Sequence, residues 1–370
     1  MKENSNKNMD DLDKLKTKFE KNPDNLDLNK RLADKYLELN RPQDALVHIK
    51  KCIELDPNYA QGYNQLGVCY LTQNKVEEAE KNFIDALKLD FNLIDAHFNL
   101  ASLYQKVGKY KKALSYFKEV VVKNPQDYVA YHRMAECSLA ASMNSEALEF
   151  LKEAIRLKPD FLEAATDLAT LYIKQGQLSD AENTLNNILK YYPKVAALHF
   201  SLALLLQEQE RYLEAIKHFR EVVIIDENNA EAFNYLGECC VAADMKEQAE
   251  PFFAKAIKLQ PDYYQAVFNL GNLYWEQERK DEAIMTLEQC LTVLDEIAER
   301  KEKWGEKIDE EIYTPVYNLL GKIYMQESKK DKAKEMWEKS LELNPEQPEI
   351  KKALEEIPKP LHKKVSLTLD

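Results

Sequence analysis

Residues 60–93 read AQGYNQLGVCYLTQNKVEEAEKNFIDALKLDFNL, and this stretch decides the fold. Its apolar residues recur at steps of three and four, in the order Tyr63, Leu66, Tyr70, Ala79, Phe83 and Ala86. Such spacing predicts two amphipathic helices joined by a short polar turn. Because one helix pair leaves an apolar face uncovered, the stretch requires neighbours of the same kind.

A 34-residue period extends this pattern along the chain. The prolines that lie on one 34-residue grid are Pro23, Pro57, Pro125, Pro159, Pro193 and Pro261, with Phe91 and Glu227 at the two remaining points. The 84 residues from Pro261 to Pro345 equal two periods plus 16, which indicates a 16-residue insertion. Proline lacks an N–H group and disfavours helix in the residue before it, so each grid proline is expected to end a helix.

Small residues recur at two positions of each unit when the units start at 26, 60, 94, 128, 162, 196, 230, 264 and 314. Position eight is Ala33, Gly67, Ala101, Ala135, Ala169, Ala203, Gly237, Gly271 and Gly321. Position twenty is always alanine, whereas position twenty-four carries a large apolar residue such as Phe83 or Trp337. The small residues are expected to let the two helices of a unit approach closely, and the large ones to fill the space between units.

The motif Tyr63-x-x-Leu66-Gly67-x-x-Tyr70, followed by Ala79, Phe83 and Ala86, resembles the tetratricopeptide repeat. The same motif returns at Phe233, Leu236, Gly237, Ala249, Phe253, Ala256 and Pro261, and again at Tyr317, Leu320, Gly321, Tyr324, Ala333, Trp337 and Pro345. The resemblance covers residues 26–347. It implies an all-α fold, a right-handed α-solenoid of nine stacked helix-turn-helix repeats with capping helices.

The period and the resemblance together predict the domain organisation. We expect an N-terminal tail and capping helix at 1–25, eight repeats at 26–297, and a helical insertion extending repeat eight at 298–313. A ninth repeat at 314–347, a capping helix at 348–358 and a tail at 359–370 follow. Thr314 and Pro315 are expected to be the N-cap and first residue of the helix that restarts the period.

Composition excludes several functional classes. With 51 Lys and Arg against 64 Asp and Glu, the net charge of −13 disfavours nucleic-acid binding. Only 8 glycines occur and none forms G-x-G, which excludes Rossmann and P-loop nucleotide sites. We find no secretory signal or membrane-spanning stretch, and therefore expect a cytoplasmic protein without membrane insertion, unless a signal peptide has been trimmed from the chain.

We expect no catalytic site, metal site or cofactor. The six histidines are scattered, and His97 and His199 lie at position four, where the resemblance implies a packed ring. His132 and Glu136 are four residues apart and could share a metal, but no third ligand is spaced to join them. Five of the six cysteines recur at positions ten and twenty-seven, Cys240 lies at position eleven, and none has C-x-x-C spacing, which is typical of buried packing residues.

The resemblance implies that positions two, five, six, nine and twelve of each first helix face a concave groove. The residues predicted to contact a partner there are Asn64, Phe98, Asn99, Phe200, Asn234, Tyr235, Phe268, Asn269, Asn272 and Trp275. Amides can pair with the N–H and C=O groups of a peptide while aromatic rings bury its side chains. We expect Phe268 and Trp275 to be the strongest contacts, although packing of Phe268 against the neighbouring pair is an equal alternative.

Two subtypes of the family can be compared with this list. Chaperone-binding members share a clamp of Lys, Asn and Arg for a C-terminal carboxylate, but Asp34 and Asp95 replace two of its residues here. Members associated with glycosyl transfer share an asparagine ladder at position six, which only Asn99 and Asn269 match. The resemblance therefore does not identify a subtype.

The insertion and the tail offer secondary contacts. Trp304 lies in the charged insertion, where an exposed tryptophan would indicate a binding contact and a solvated, tolerated loop is the alternative. The tail alternates Val365, Leu367 and Leu369 with polar residues, which is the period of a strand that could join a partner or a second copy. A disordered end is the competing interpretation.

These observations favour a non-enzymatic protein–protein interaction scaffold that binds partners in its groove and assembles a multiprotein complex. The acidic surroundings favour a basic or neutral extended segment as partner. A self-assembling adaptor that uses the arm 298–313 or the tail 361–370 is the second hypothesis, and a peptide-binding co-chaperone is the third.

Overall fold

The computed structural model describes residues 2–357, with side chains described from residue 11 onward. Over that range the fold is all-α, with twenty α-helices, one 3-10 helix and no strand. The chain divides into two compact units at Tyr191 and Tyr192. The predicted tail strand, with Val365, Leu367 and Leu369, lies outside the described residues, as does the end of the predicted capping helix at residue 358.

The first unit consists of a leading helix and five helix pairs, each pair stacked on the next. Its helices are α1 (Lys2–Lys21), α2 (Leu26–Glu38), α3 (Pro42–Leu55), α4 (Ala60–Thr72), α5 (Val76–Leu89), α6 (Ile94–Lys106), α7 (Tyr110–Lys123), α8 (Tyr128–Ala140), α9 (Asn144–Leu157), α10 (Leu162–Lys174) and α11 (Leu178–Leu189). Leu12 and Leu15 of α1 are buried in one cluster with Leu32 and Ile49. The leading helix therefore covers the apolar face of the first pair, as a cap does.

The second unit stacks four helix pairs and ends in a short helix. Its helices are α12 (Ala196–Glu208), α13 (Tyr212–Ile225), α14 (Ala230–Ala242), α15 (Lys246–Leu259), α16 (Tyr264–Glu276), α17 (Lys280–Lys303), α18 (Thr314–Gln326), α19 (Lys330–Leu343) and α20 (Pro348–Glu355), with a 3-10 helix at Glu310–Tyr313. Ile350 of α20 is buried in the same cluster as Val316, Ile323 and Trp337. The stacked pairs of each unit confirm the α-solenoid class predicted from the 34-residue period.

The small residues at position eight lie where the two helices of a pair touch. A Cβ atom built on Gly237 would lie 2.5 Å from Phe253 Cε1, and one on Gly67 would lie 2.5 Å from Phe83 Cε1. Both phenylalanines are almost wholly buried. Position eight therefore sets how close the helices lie, because the facing ring has no free space into which to move.

Repeats with alanine at position eight pack this contact differently. Phe98 and Phe200, at position five, meet Phe117 and Phe219 edge to face, with ring centroids 5.3 and 5.6 Å apart. Repeats two and seven carry asparagine at position five and glycine at position eight instead. A ring at position five accompanies alanine in repeats three and six, and asparagine accompanies glycine in repeats two and seven, but repeat eight combines Phe268 with Gly271.

Each helix pair is joined by a turn with one residue in the left-handed conformation at position fifteen. These residues are Asn40, Asn74, Gly108, Ser142, Gly176, Glu210, Asp244, Glu278 and Ser328, with φ between 55° and 74°. Only two of the nine are glycine, although side chains at positive φ are strained. The polar turn was predicted, but this periodic backbone feature was not, because no residue type marks it.

Apart from α11 and α17, the second helices end two residues before their grid points whether or not proline is there. α5 ends at Leu89 before Phe91, and α13 ends at Ile225 before Glu227, just as α3 ends at Leu55 before Pro57. The expectation that proline ends these helices is therefore incomplete. Chain reversal into the next repeat ends the helix, and proline is one of the residues compatible with that turn.

The insertion lengthens α17, which runs to Lys303 and buries Val293 and Leu294. The chain then returns through the 3-10 helix, whose Tyr313 hydroxyl donates to Asp295 Oδ1 at 2.9 Å. The next helix begins at Thr314, and its hydroxyl is buried without a hydrogen-bond partner. The expected Thr314 N-cap is thus wrong, because the preceding 3-10 turn leads directly into the helix.

Candidate partner-binding groove

Polar side chains at positions five, six, nine and twelve link the first helices of successive repeats. In the first unit, Asn99 Nδ2 donates to Asn64 Oδ1 at 3.0 Å and Gln105 Nε2 donates to Glu136 Oε2 at 2.9 Å. In the second unit, Asn269 Nδ2 donates to Asn234 Oδ1 at 3.0 Å. We call the surface that these positions form within each unit the groove.

Two of the predicted contact residues, Asn64 and Asn234, are already hydrogen-bonded in these links. Asn64 is 3% exposed and Asn234 is 2% exposed. The Asn234 amide also donates through Nδ2 to Glu238 Oε1 at 2.8 Å. Buried amides whose groups are already paired hold neighbouring repeats together, and breaking them to bind a peptide would cost free energy.

The other predicted amides remain half-buried at the groove surface. The Asn99 and Asn269 Nδ2 groups are used in links to the preceding repeat. Asn272 lies one turn beyond Asn269, and its Nδ2 donates to Glu276 Oε1 at 3.1 Å. These three residues therefore keep amide groups at the surface, unlike the buried pair at position five.

The aromatic residues at the groove are half-buried rather than fully exposed. Tyr235 stacks on Phe219 with ring centroids 5.5 Å apart, and meets Phe200 edge to face at 5.8 Å. Phe268 and Trp275 pack against the cluster built around Leu287 and Leu320. The structure thus gives Phe268 and Trp275 a packing role, which was the alternative for Phe268, while part of each ring stays accessible.

The charge on α12, α14 and α16 of the second unit is one-sided, whereas α18 carries the exposed Lys322 at position nine. Helices α12, α14 and α16 contain no lysine or arginine, but they contain Glu208, Glu231, Glu238 and Glu276. Glu276 is paired with Lys246 of α15 at 3.0 Å. Glu231 and Glu238 have no ion-pair partner among the described residues.

Among the described residues, Glu238 accepts hydrogen bonds from amides alone. Its Oε1 accepts from Asn234 Nδ2 at 2.8 Å and from Asn269 Nδ2 at 2.7 Å. Its Oε2 accepts a long bond from Gln207 Nε2 at 3.4 Å. The amides fix the position of the carboxylate but leave its charge uncompensated.

A tyrosine that the sequence reasoning missed borders the same carboxylate. Tyr263 immediately precedes α16, and burial raises the pKa of its hydroxyl to about 12, with further raising by Glu231, Tyr235 and Glu238. Its counterpart in the first unit is Tyr59, whose pKa burial also raises to about 12, with a contribution from Asp34. An aromatic residue just before position one was the available signal, since Phe161 and Tyr313 stand there too.

The histidines form separate contacts. His132 Nε2 lies 2.8 Å from Asp167 Oδ2, whereas Glu136 accepts from Arg133 and Gln105. His97 Nε2 lies 2.8 Å from the carbonyl oxygen of Phe91, so it packs at the turn. Across residues 11–357, no group of three or more His, Cys, Asp or Glu side chains is arranged to hold a metal ion.

Two histidines of the second unit contact each other, the buried His199 and the half-buried His218. His199 Nδ1 and His218 Nδ1 are 3.0 Å apart, so one nitrogen must accept while the other donates. Burial lowers the pKa of His218, and the neighbouring His199 lowers it further. His48, at the same repeat position as His218, also has a pKa lowered by burial, and its Nδ1 lies 2.9 Å from Asn29 Oδ1.

All six cysteines are buried and unpaired, at Cys52, Cys69, Cys137, Cys239, Cys240 and Cys290. Burial raises the pKa of the Cys290 thiol to about 12 and that of Cys69 to about 11. Both thiols contact main-chain carbonyl oxygens, Cys69 that of Pro42 and Cys290 that of Tyr264. The neutral thiols therefore pack where successive repeats meet.

Trp304, predicted as a secondary contact, is 85% exposed at the end of α17. It borders a surface notch of about 600 Å³ that Tyr263, Tyr264 and Ile297 also line. Arg300 Nη2 pairs with Asp262 Oδ2 at 2.9 Å across the notch. This ion pair ties the extension of α17 to the turn before α16.

Family models match the chain at several places. Each is described as a tetratricopeptide repeat, and the matched residues are 31–59, 48–81, 94–127, 138–205, 264–293 and 314–347. Together they cover more than half of the chain. The chain belongs to the tetratricopeptide-repeat family. Within this family the repeat array is, in general, a scaffold for protein interactions.

Curated relatives share parts of this array. A tetratricopeptide repeat-containing protein, trd-1 of Caenorhabditis elegans, is 23% identical over 189 residues, which is 51% of this chain and 22% of the relative. The human protein O-mannosyl-transferase TMTC3 is 32% identical over 129 residues, which is 34% of this chain and 14% of the relative. The chain thus spans less than a quarter of either relative.

A solved structure has the same fold. The C-terminal part of a tetratricopeptide repeat-containing protein from Cytophaga hutchinsonii matches 70% of this chain and 99% of its own, at 16% identity and a TM-score of 0.56. At this identity the likeness concerns the fold alone. Among the described helices of our chain, none combines the length and the apolar character needed to span a bilayer.

Proposed function

We propose that this tetratricopeptide array is a non-enzymatic scaffold whose groove holds an extended segment of a partner protein. The observation that carries the proposal is the row of half-buried aromatic side chains on the first helices of the second unit, at Phe200, Tyr235, Phe268 and Trp275. Partly exposed rings fixed by packing beneath them offer apolar contact area at low entropic cost.

The charge of the same face supports a basic or neutral partner. No lysine or arginine stands on α12, α14 or α16, and two carboxylates there lack a cation among the described residues. A co-chaperone role is less well supported, because Asp34 is hydrogen-bonded to Gln65 at the place where a carboxylate clamp needs asparagine. An acidic peptide terminus would be repelled by Asp34 and by the carboxylates on α12, α14 and α16.

Site-specific photo-crosslinking tests the proposal. A photoreactive residue placed at Asn272, in the groove, is expected to crosslink a partner from native lysate. The same residue placed at Met285, which is 67% exposed on α17 outside the groove, serves as the matched control. Crosslinking at Met285 but not at Asn272 would contradict groove binding.

A double variant links the crosslink to the aromatic row. Phe268→Ala with Trp275→Ala is expected to weaken capture of the same partner by more than tenfold, since truncating central aromatic contacts costs about 2 kcal/mol or more. Because both rings also pack, the helix content and melting temperature of the variant must be measured beside Met285→Ala. Equal capture by folded wild-type and variant proteins would move the partner to another surface.

Self-association through the extended α17 is a second candidate, favoured by the 85% exposure of Trp304. If Trp304 contacts a second copy, Trp304→Ser is expected to shift the sedimentation of the chain to that of a monomer. A wild-type chain that sediments as a monomer at high concentration would exclude this candidate. Deletion of 361–370 tests the predicted tail contact in the same assay.

A further inference from the structure

A constellation in the first unit shows how the chain places a cation in its own groove. Lys30 Nζ, at position five of α2, lies 3.9 Å from the ring centroid of Tyr59, the residue before α4. Asp34, at position nine of α2, accepts from Gln65 Nε2 at 2.5 Å. A cation over a tyrosine face, next to a carboxylate held by an amide, is a favourable arrangement.

The same four repeat positions recur in the second unit with one decisive difference. Tyr263 precedes α16 as Tyr59 precedes α4, and Glu238 with Asn269 corresponds to Asp34 with Gln65. The counterpart of Lys30 is Asn234. The aromatic ring, the carboxylate and the amide are therefore all present, whereas the cation is missing.

The surroundings of Glu238 do not supply that cation. The carboxylate accepts only from amides, and the described residues give it no ion pair. The neighbouring Glu231 adds a second negative charge, which contributes to the raised pKa of Tyr263. Gln207 Oε1, beside Glu238, is buried and has no hydrogen-bond donor among the described residues.

We propose that Tyr263, Glu238 and Asn269 form a recess that binds one lysine or arginine side chain of the partner segment. The ammonium or guanidinium group would lie against the Tyr263 ring and donate to Glu238, as Lys30 lies against Tyr59. The inference rests on the proposed groove function and specifies the chemistry of its ligand. Recognition is by charge complementarity and ring contact, and both terms are stronger in a half-buried site.

Selection from a random dodecapeptide library on the immobilised full chain tests the recess. Peptides selected by the wild-type protein are expected to share a lysine or arginine at one position. Changing that residue to glutamine in a selected peptide should weaken binding by about tenfold or more, as expected for loss of a charge-assisted hydrogen bond and a cation–π contact.

Two variants of the protein address the same contact from its other side. Glu238→Gln keeps the shape of the side chain and removes its charge. Asn234→Lys places an internal cation where Lys30 stands in the first unit. Each is expected to weaken the selected peptides by about tenfold and to abolish the preference for lysine or arginine. Glu247→Gln, an exposed charge change on α15, is the matched control and should have no effect.

The outcomes separate this inference from the function beneath it. Peptides that lose affinity in the folded Phe268→Ala/Trp275→Ala variant but not in Glu238→Gln would overturn the recess and leave groove binding intact. A selected consensus without a basic position would do the same. If no selected peptide binds the aromatic double variant more weakly than the wild-type protein, both proposals are overturned. Circular dichroism and thermal melting of every variant establish that binding losses do not reflect unfolding.

Discussion

Helices α2 and α4 in the first unit and helices α14 and α16 in the second carry the same polar constellation, but only the first contains its own cation. Lys30 lies over the Tyr59 ring, whereas its counterpart Asn234 carries no charge. In a repeat array, a contact that stabilises one place and a site open to a ligand at another can thus differ by a single residue.

Repeats two and seven also share a similar frame, although repeat two corresponds to repeat eight in the polar constellation. Gly67 faces Phe83, and Gly237 faces Phe253, with the same close approach for an added Cβ atom. Asn64 and Asn234 each accept from the amide of the next repeat at 3.0 Å. Four predictions test how far this equivalence extends.

The largest effect is expected where the frame is tightest. Gly237→Val should lower the local free energy of unfolding of α14 and α15 by about 3 kcal/mol, because the new side chain overlaps the buried Phe253 ring. Gly67→Val should have a similar effect on α4 and α5. Hydrogen exchange resolved along the chain measures both, with the exposed Ala242→Val as control. A decrease in the free energy of unfolding below about 1 kcal/mol at either glycine would show that the facing ring moves aside more easily than its packing indicates.

The next effect distinguishes the two asparagines at position five, Asn234 and Asn64. Asn234→Ala should cost about 2 kcal/mol, because it deprives both Glu238 and Asn269 of a partner. Asn64→Ala removes the acceptor of Asn99 alone and should cost about 1 kcal/mol. The same exchange experiment compares the two variants. Equal costs would mean that the hydrogen bond from Asn234 to Glu238 does not contribute to stability.

A pH dependence is expected in both units, because His48 and His218 occupy the same repeat position and share a lowered pKa. Below the ordinary value of 6.5, the unfolded chain binds more protons than the folded one at these residues. Their contribution to stability is therefore complete above that pH and is lost as the pH falls. Protection factors of α12 and α13 should decrease between about pH 7.5 and pH 5.5.

The variant His218→Gln should remove that decrease in α12 and α13 while leaving the decrease around His48 in α2 and α3. His48→Gln should have the converse effect. If α12 and α13 retain their full pH dependence in His218→Gln, other groups in that repeat are responsible.

The smallest effect concerns the turns. Glu278→Gly should stabilise α16 and α17 by about 1 kcal/mol, because Glu278 has φ of 60°. Asn74→Gly should change α4 and α5 by less, because asparagine tolerates the φ of 56° that Asn74 adopts. Melting temperatures of the two variants rank them. A larger gain at Asn74 would contradict the strain argument.

Much of the fold was predictable because the signals are local and repeated. Position eight is small and position twenty-four is large in every unit, and the structure places Gly237 against Phe253 accordingly. The extension of α17 followed from its continuing apolar spacing. The start at Thr314 was predicted less well, because the preceding 3-10 turn depends on the contact between Tyr313 and Asp295.

The candidate site was harder to predict, since burial depends on neighbours that are far away in sequence. Asn64 and Asn272 look alike as polar residues on a first helix, but Asn64 is buried in a link to Asn99. Tyr263 was missed because it precedes the helix on which the groove positions were counted.

The sequence by itself determined the helix pairs, their period and the close contact within each pair, because these depend on residue size and apolar spacing over a few turns. Only the tertiary structure decided which polar groups satisfy one another and which carboxylate lacks a cation. Those pairings join residues 31 or 35 positions apart, as in Asn269 with Glu238 and Asn234. Stacking of successive repeats brings such residues together. The same stacking buries them, which makes an unpaired charge energetically significant.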